Sequence, residues 1–238
     1  MILYDGHDLE SVMVVGDPEI TWHTFSPETV DVPGRDGTVV RDVTLGPASV
    51  SMAVAVEGEA SERRHRLSIL GSWLRVDSAR PLVLPDTPDR YYLAVPDGAL
   101  DMRRAIRGEL SRLTFRITEP AAYGKRQNVT VPSGGTAQVV VGGTYPTGMK
   151  IEGAVTRNSS SNVWGIRLDE GDFIHIDTGS NSSRAISIDT DSRVAKVSGS
   201  VALPTLDSDW LHFDVGKHTL RNDQGAGSVT VSWVERWL

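Results

Sequence analysis

The chain has 238 residues, 39% of them hydrophobic and 23% charged, and a net charge of −7. That is a globular balance, with room for one large β domain or two of ordinary size. Cysteine is absent, which excludes disulfides and thiolate metal sites, and neither half is basic: residues 1–126 sum to −4 and residues 127–238 to −3, so electrostatic capture of nucleic acid is not expected.

The opening residues lack a basic region followed by an apolar run, so no secretory signal is expected. No apolar run is long enough to span a bilayer. The 23 glycines and 12 prolines predict frequent turns and many short strands. Ile2-Leu3-Tyr4 reads as the first strand. Val12-Met13-Val14-Val15 and Ile20-Thr21-Trp22-His23 follow, parted by the turn Gly16-Asp17-Pro18.

Val32-Pro33-Gly34-Arg35-Asp36-Gly37 then holds two turn dipeptides. Pro33-Gly34 suits a type II turn, with proline fixing φ and glycine taking the positive φ. Asp36-Gly37 suits the tight turn of a hairpin. Arg35 is caught between them, so the knuckle presents one guanidinium at a defined place. On local chemistry alone this is a hairpin loop with an exposed arginine.

Val39, Val40 and Val43 mark the returning strand. Over residues 49–57, Val50, Met52, Val54 and Val56 alternate with smaller residues, the period of a sheet with one buried face. One helix is expected, from Ser61 as N-cap to about Arg75, with Leu67, Leu70, Trp73 and Leu74 as its apolar stripe. Arg63, Arg64 and Arg66 fall on its solvated side. Strands resume at Pro81-Leu82-Val83-Leu84 and over residues 90–95 and 110–118. In the last of these Leu113, Phe115 and Ile117 share one face; Arg112, Thr114 and Arg116 share the other, toward solvent or another subunit.

Proline and glycine breaks at Glu119-Pro120 and Pro132-Ser133-Gly134-Gly135 flank the expected boundary, giving domains 1–126 and 127–238. The second half has no helical period. Its strands are expected over residues 138–141, 149–157, 163–168, 173–177, 184–189, 195–201, 218–222 and 228–234, with turns between, including one over residues 178–181. Eight or so short strands without a helix predict a β-sandwich, in jelly-roll form.

Catalytic patterns are lacking. There is no Gly-x-Ser-x-Gly, no phosphate-binding glycine loop and no His-x-x-x-His. His175 and Asp177 share a strand face and could meet a third ligand, but an exposed strand edge explains them equally well. Carboxylates at residues 170, 172, 189 and 191 read as turn residues. Trp164, Trp210, Trp233 and Trp237 could stack on a sugar or fill the sandwich core. Trp237, beside the C-terminus, is the candidate exposed aromatic.

The order of these features resembles the distal tail protein family of siphophages, over the whole chain. The resemblance rests on the Pro33-Gly34-Arg35-Asp36-Gly37 loop and on the single helix among strands. In the second half it rests on Pro146 to Gly153, on Gly171-Asp172-Phe173-Ile174-His175-Ile176-Asp177, and on Asp209-Trp210-Leu211-His212-Phe213 with Gly216. It implies a mainly β protein: a β-rich ring-forming N-terminal domain with one α-helix, and a galectin-like sandwich at the C-terminus. It further implies a structural virion protein, not an enzyme, with no cofactor and no bound metal. The protein would be assembled in the host cytoplasm and sit at the distal end of the tail. Implied partners are five further copies in a hexameric ring, the tail tube protein, a tail hub or tail-associated protein, and receptor-binding or adhesion proteins. DNA would only pass through the lumen, and no membrane insertion is implied. Pro33 to Gly37 would form a contact with a subunit or partner. A carbohydrate-binding or glycan-hydrolysing sandwich protein is the alternative.

Overall fold

The computed structural model describes residues 1–179 and 181–238, the side chains of residues 102 and 103 excepted. It divides into two units, Met1–Ala122 and Tyr123–Leu238.

The first unit runs β1 (Leu3–Tyr4), β2 (His7–Asp8), a 3₁₀ turn (Leu9–Ser11), β3 (Val14–Val15), β4 (Glu19–Thr21), β5 (Phe25–Asp31), β6 (Thr38–Leu45) and β7 (Ala48–Ala55). Then come α1 (Ala60–Leu74), β8 (Arg80–Val83), β9 (Tyr92–Asp97), α2 (Met102–Arg107) and β10 (Ser111–Ile117). An antiparallel sheet orders them β2-β1-β8-β9-β10-β7, and β3 and β4 both pair with β7 on its free side. Period-two alternation supplies the core: Val50, Met52 and Val54 on β7 and Leu113, Phe115 and Ile117 on β10 are all buried. Tyr4 packs on Phe115 with ring centroids 4.7 Å apart.

Helix α1 joins this core through Leu67 and Leu70, with Trp73 and Leu74 packed at its margin. Its cap differs from expectation. Glu59, not Ser61, is the N-cap, and Glu62 returns the bond to the Glu59 amide. Ser61 lies inside the first turn, where its hydroxyl does not fill the cap. Helix α2 was not expected. Asp101 caps it, accepting from the Arg104 amide at 3.1 Å, and Gly108 leaves it at φ +76°. Nor is Arg63 merely solvated. Its Nε donates to the Ile106 carbonyl at 2.6 Å and Nη1 to the Gly58 carbonyl, tying α1 to the end of α2.

The second unit contains β11 (Ala122–Val131), β12 (Thr136–Val141), β13 (Thr147–Gly148), β14 (Lys150–Val155), β15 (Trp164–Leu168) and β16 (Phe173–Ile176). These are followed by β17 (Arg184–Asp189), β18 (Val194–Val197), β19 (Ser200–Ala202), β20 (His212–Phe213), β21 (Gly216–Gln224) and β22 (Val229–Trp237). A six-stranded sheet, β11-β22-β14-β17-β18-β19, packs on a four-stranded sheet, β12-β21-β15-β16. Ile151, Ile188 and Val231 from the first meet Trp164, Ile166, Ile174 and Leu220 from the second in one core. The units part after Ala122, about four residues before the expected boundary, and both positions fall within β11. The single strand expected over residues 195–201 is a hairpin, β18–β19, turned at Ser198 and Gly199, both with positive φ. The turn expected over residues 178–181 includes Ser180, which lies outside the described residues.

Two of the sequence stretches that carried the resemblance meet here. Thr147 pairs with Phe213 and Gly148 with His212. Gly153 is needed between β14 and β22, because a Cβ there would lie 2.7 Å from the Ser228 carbonyl oxygen.

Candidate functional site

Among the described residues, strands β5 and β6 pair only with each other. Seven residue pairs join them, from Phe25↔Leu45 to Asp31↔Thr38. Every residue of β5 is exposed, as is every residue of β6 but the last. The result is an arm with two free edges and no sheet beneath it. A two-stranded ribbon of this kind is marginally stable alone in water, and its unpaired amides and carbonyls are a template for another strand. Pro27 removes one donor from it.

The arm has two unlike faces. The pairs step evenly from Phe25↔Leu45 to Glu28↔Asp42, then shift, so that Thr29 meets Val40. Arg41 is the extra residue of a bulge, and its guanidinium pairs with Glu28 at 3.2 Å. By alternation, Phe25, Pro27, Thr29, Val40, Val43 and Leu45 share one face, which ends toward the tip in the polar pair Asp31 and Thr38. Ser26, Glu28, Asp42 and Thr44 share the other, with Val30 and Val39 near the tip. Without the bulge, Arg41 would stand where Val40 stands. Phe25, Val40 and Val43 are 59%, 56% and 50% exposed, and Trp22 at the base of the arm is 56% exposed. Covering three such side chains contributes on the order of 1–2 kcal/mol each.

The tip carries the knuckle. The Arg35 amide donates to the Val32 carbonyl at 3.1 Å, with Gly34 at φ +79°, so Pro33-Gly34 forms the type II turn. Asp36-Gly37 is not a separate two-residue turn. Asp31 pairs with Thr38, so residues 32–37 form one six-residue loop, and Gly37 at φ +82° leads into β6. Pro33, Gly34, Arg35, Asp36 and Gly37 are all exposed. Arg35 has no ion-pair partner among the described residues. The sequence reading passed over β5 and Phe25, and took Trp22 for a residue of the strand that ends at Thr21. Proline within a run demotes it as a strand, and the arm's apolar face is interrupted at Pro27 and Thr29.

The other candidates are placed as follows. Trp237 is half-buried at the end of β22. A Cβ on Gly124 would lie 3.0 Å from its indole nitrogen, so the ring is packed over that glycine rather than free as a platform. Trp164 and Trp233 are core and Trp210 packs at its margin. His175 does not join Asp177. Its Nε2 faces Asp223 at 3.5 Å, whereas Asp177 accepts from the Gly179 amide at 2.7 Å. No cluster of three metal-ligating side chains occurs among the described residues. His218 sits at the end of the sandwich with both ring nitrogens engaged, Nδ1 to Asp169 at 2.9 Å and Nε2 to the Asp214 carbonyl at 2.8 Å. Burial pulls its pKa down, but Asp169 and Asp214 outweigh burial and hold it above the ordinary histidine value. The same hydrogen bond from His218 holds Asp169 below the ordinary carboxylate value.

Comparison with known proteins follows the same two units. Residues 8–115 match the model of a phage tail protein RIFT-related domain, and residues 142–237 that of a siphovirus-type tail component, C-terminal domain. Among solved structures, the Dit protein of phage SPP1 is similar with a TM-score of 0.77 at 18% identity. That match covers 100% of this chain and 98% of the other, a protein described as a paradigm of hub adsorption apparatus in Gram-positive infecting phages. A chain of the phage P2 baseplate, in its activated conformation with Ca, gives a TM-score of 0.48 at 10% identity over 92% and 90% of the two chains. No curated protein matched the chain in sequence.

Proposed function

We infer that this chain, which belongs to the siphophage distal tail protein family, closes with five further copies into a ring at the end of the tail tube. Membership makes it a structural component of the distal tail and hub; the six-fold closure is the further step. The arm formed by β5 and β6 is the observation that supports it. An exposed ribbon with one apolar face and two free edges is stabilised when a neighbour covers that face and pairs an edge. A ring gives every copy such a neighbour and leaves no arm unsatisfied, because a heterologous contact that closes needs no end.

In this arrangement the first unit forms the ring. It meets the tail tube protein on one side and the hub protein on the other, while the sandwich carries receptor-binding or adhesion proteins. Arg35 at the arm tip meets an acidic side chain or a row of carbonyls on a neighbouring molecule. Its planar fork makes two parallel bonds to a carboxylate, which a lysine cannot imitate. The ring is anionic, so DNA passes without being captured.

Negative-stain imaging of the purified chain tests this. Rings with a central hole are expected, alone or after addition of tail tube protein. A monomer under both conditions would leave the arm without its proposed role.

A further inference from the structure

The outer face of the four-stranded sheet in the second unit holds a cavity of about 440 Å³, lined by Thr136, Arg167, Asp169, Glu170, Thr219 and Arg221. That volume is within the range of small-molecule sites, roughly 300–1,000 Å³. Its floor has an unusual pairing. Arg221 stands directly across from Arg167 on one side and from Thr136 on the other. Like charges directly opposed across strands are destabilising. The sandwich nonetheless places them together, and the Arg221 side chain has no hydrogen-bond or ion-pair partner among the described residues.

The other groups are held in place from outside the cavity. Arg167 donates from Nε to Asp223 at 3.2 Å and from Nη1 to the Gly171 carbonyl at 2.8 Å, and its guanidinium lies 4.7 Å from the centre of the Phe173 ring. Asp223 is itself nearly buried, with His175 against its second oxygen. Gly165 makes room for that pair, since a Cβ there would lie 2.1 Å from the His175 ring. Asp169 is fixed by His218 and by the Thr219 amide at 2.8 Å. Glu170 stands exposed at the rim.

The lining therefore mixes two guanidinium groups, two carboxylates and two hydroxyls. An anion would be opposed by the carboxylates, and a cation by the arginines. A neutral polyhydroxyl compound is opposed by neither, because each of its hydroxyls donates to a carboxylate and accepts from a guanidinium. Phe173 is covered by Arg167, so no aromatic platform adds stacking. Binding rests on hydrogen bonds and is weak per copy.

We propose that this cavity binds one unit of a neutral saccharide, with Arg167 and Arg221 as donors and Asp169 and Glu170 as acceptors. The site does not depend on ring formation, although six copies on one face would raise the avidity for a polymer.

Saturation-transfer NMR tests it, because the sugar is observed and a large assembly does not interfere. The full chain is mixed with methyl α-glucopyranoside, methyl β-galactopyranoside or N-acetylglucosamine, with inorganic phosphate as competitor. Saturable transfer to at least one sugar is expected, undiminished by phosphate. Arg221→Ala and Glu170→Gln, both at exposed positions, should each weaken it by about tenfold without lowering the melting temperature. No saturable transfer to any of the three sugars, displacement by phosphate, or unchanged binding in both variants would overturn the assignment.

Discussion

Thr29 pairs with Val40, not with Arg41. This one-residue shift decides which of two neighbouring valines joins the face of Phe25 and Val43. Val40 shares the face of Phe25 and Val43, and Val39 lies on the other side. Val40→Glu should weaken ring formation, whereas Val39→Glu should affect it less. Both residues are exposed in the single chain, so neither change should move its melting temperature much. Sedimentation over a concentration series reads both effects. Equal losses of assembly from the two variants would mean that the arm is not used by one face.

Arg35→Ala should leave the melting temperature of the subunit nearly unchanged, because the side chain is exposed and has no ion-pair partner among the described residues. It should weaken assembly or docking by about 2–5 kcal/mol if its contact is desolvated. Arg35→Lys should not restore it. Sedimentation with and without hub or tube protein provides the measurement, and full rescue by lysine would reduce the knuckle to a point charge.

Leu70 of α1 is 1% exposed in the core of the first unit. Leu70→Ala should destabilise that unit by about 2–5 kcal/mol. A denaturant melt showing a change under about 1 kcal/mol would mean that α1 does not hold the sheet.

The contact between His218 and Asp169 predicts a pH window. The pKa of His218 is raised in the folded state. Its contribution is therefore complete below the ordinary histidine value of 6.5 and is lost as pH rises through the folded value. Asp169 is lowered, so its contribution is present above the ordinary value of 3.8 and is lost as pH falls through the folded one. The charges that face the imidazole are Asp169 and Asp214, and Phe213 covers one side at 5.5 Å. The second unit should be more stable near pH 5.5 than near pH 8 by this contact, and His218→Gln should flatten the difference. An unchanged pH profile in that variant would show that other groups carry it.

Much of the fold was legible because its period was clean. Val50, Met52 and Val54 alternate without interruption, as do Leu113, Phe115 and Ile117, and each strand lies where that alternation runs. In the sandwich the same signal runs through Val229, Val231 and Trp233, which are all buried. What was missed had no such period. Strand β5 carries Pro27 and buries nothing, so hydrophobic alternation could not announce it. Helix α2 has six residues, and only Asp101 and Gly108 mark its ends. Of the candidate site, the knuckle could be read from Pro33-Gly34, but the bulge at Arg41 could not, since register depends on the partner strand. The cavity on the sandwich joins residues from three strands, and spacing along the chain does not reveal that Arg167 faces Arg221.

The absence of cysteine makes the central claim directly testable. A single cysteine at position 40, Val40→Cys, can carry a photo-activated cross-linker with no competing thiol. Equal amounts of ¹⁴N- and ¹⁵N-labelled protein are mixed, allowed to assemble, irradiated and digested. Cross-linked peptides that join the arm of one isotope to the first unit of the other are predicted, at the same residues in every preparation. Cross-links confined to one isotope, or scattered over the surface with no preferred residue, would contradict a ring closed by this arm.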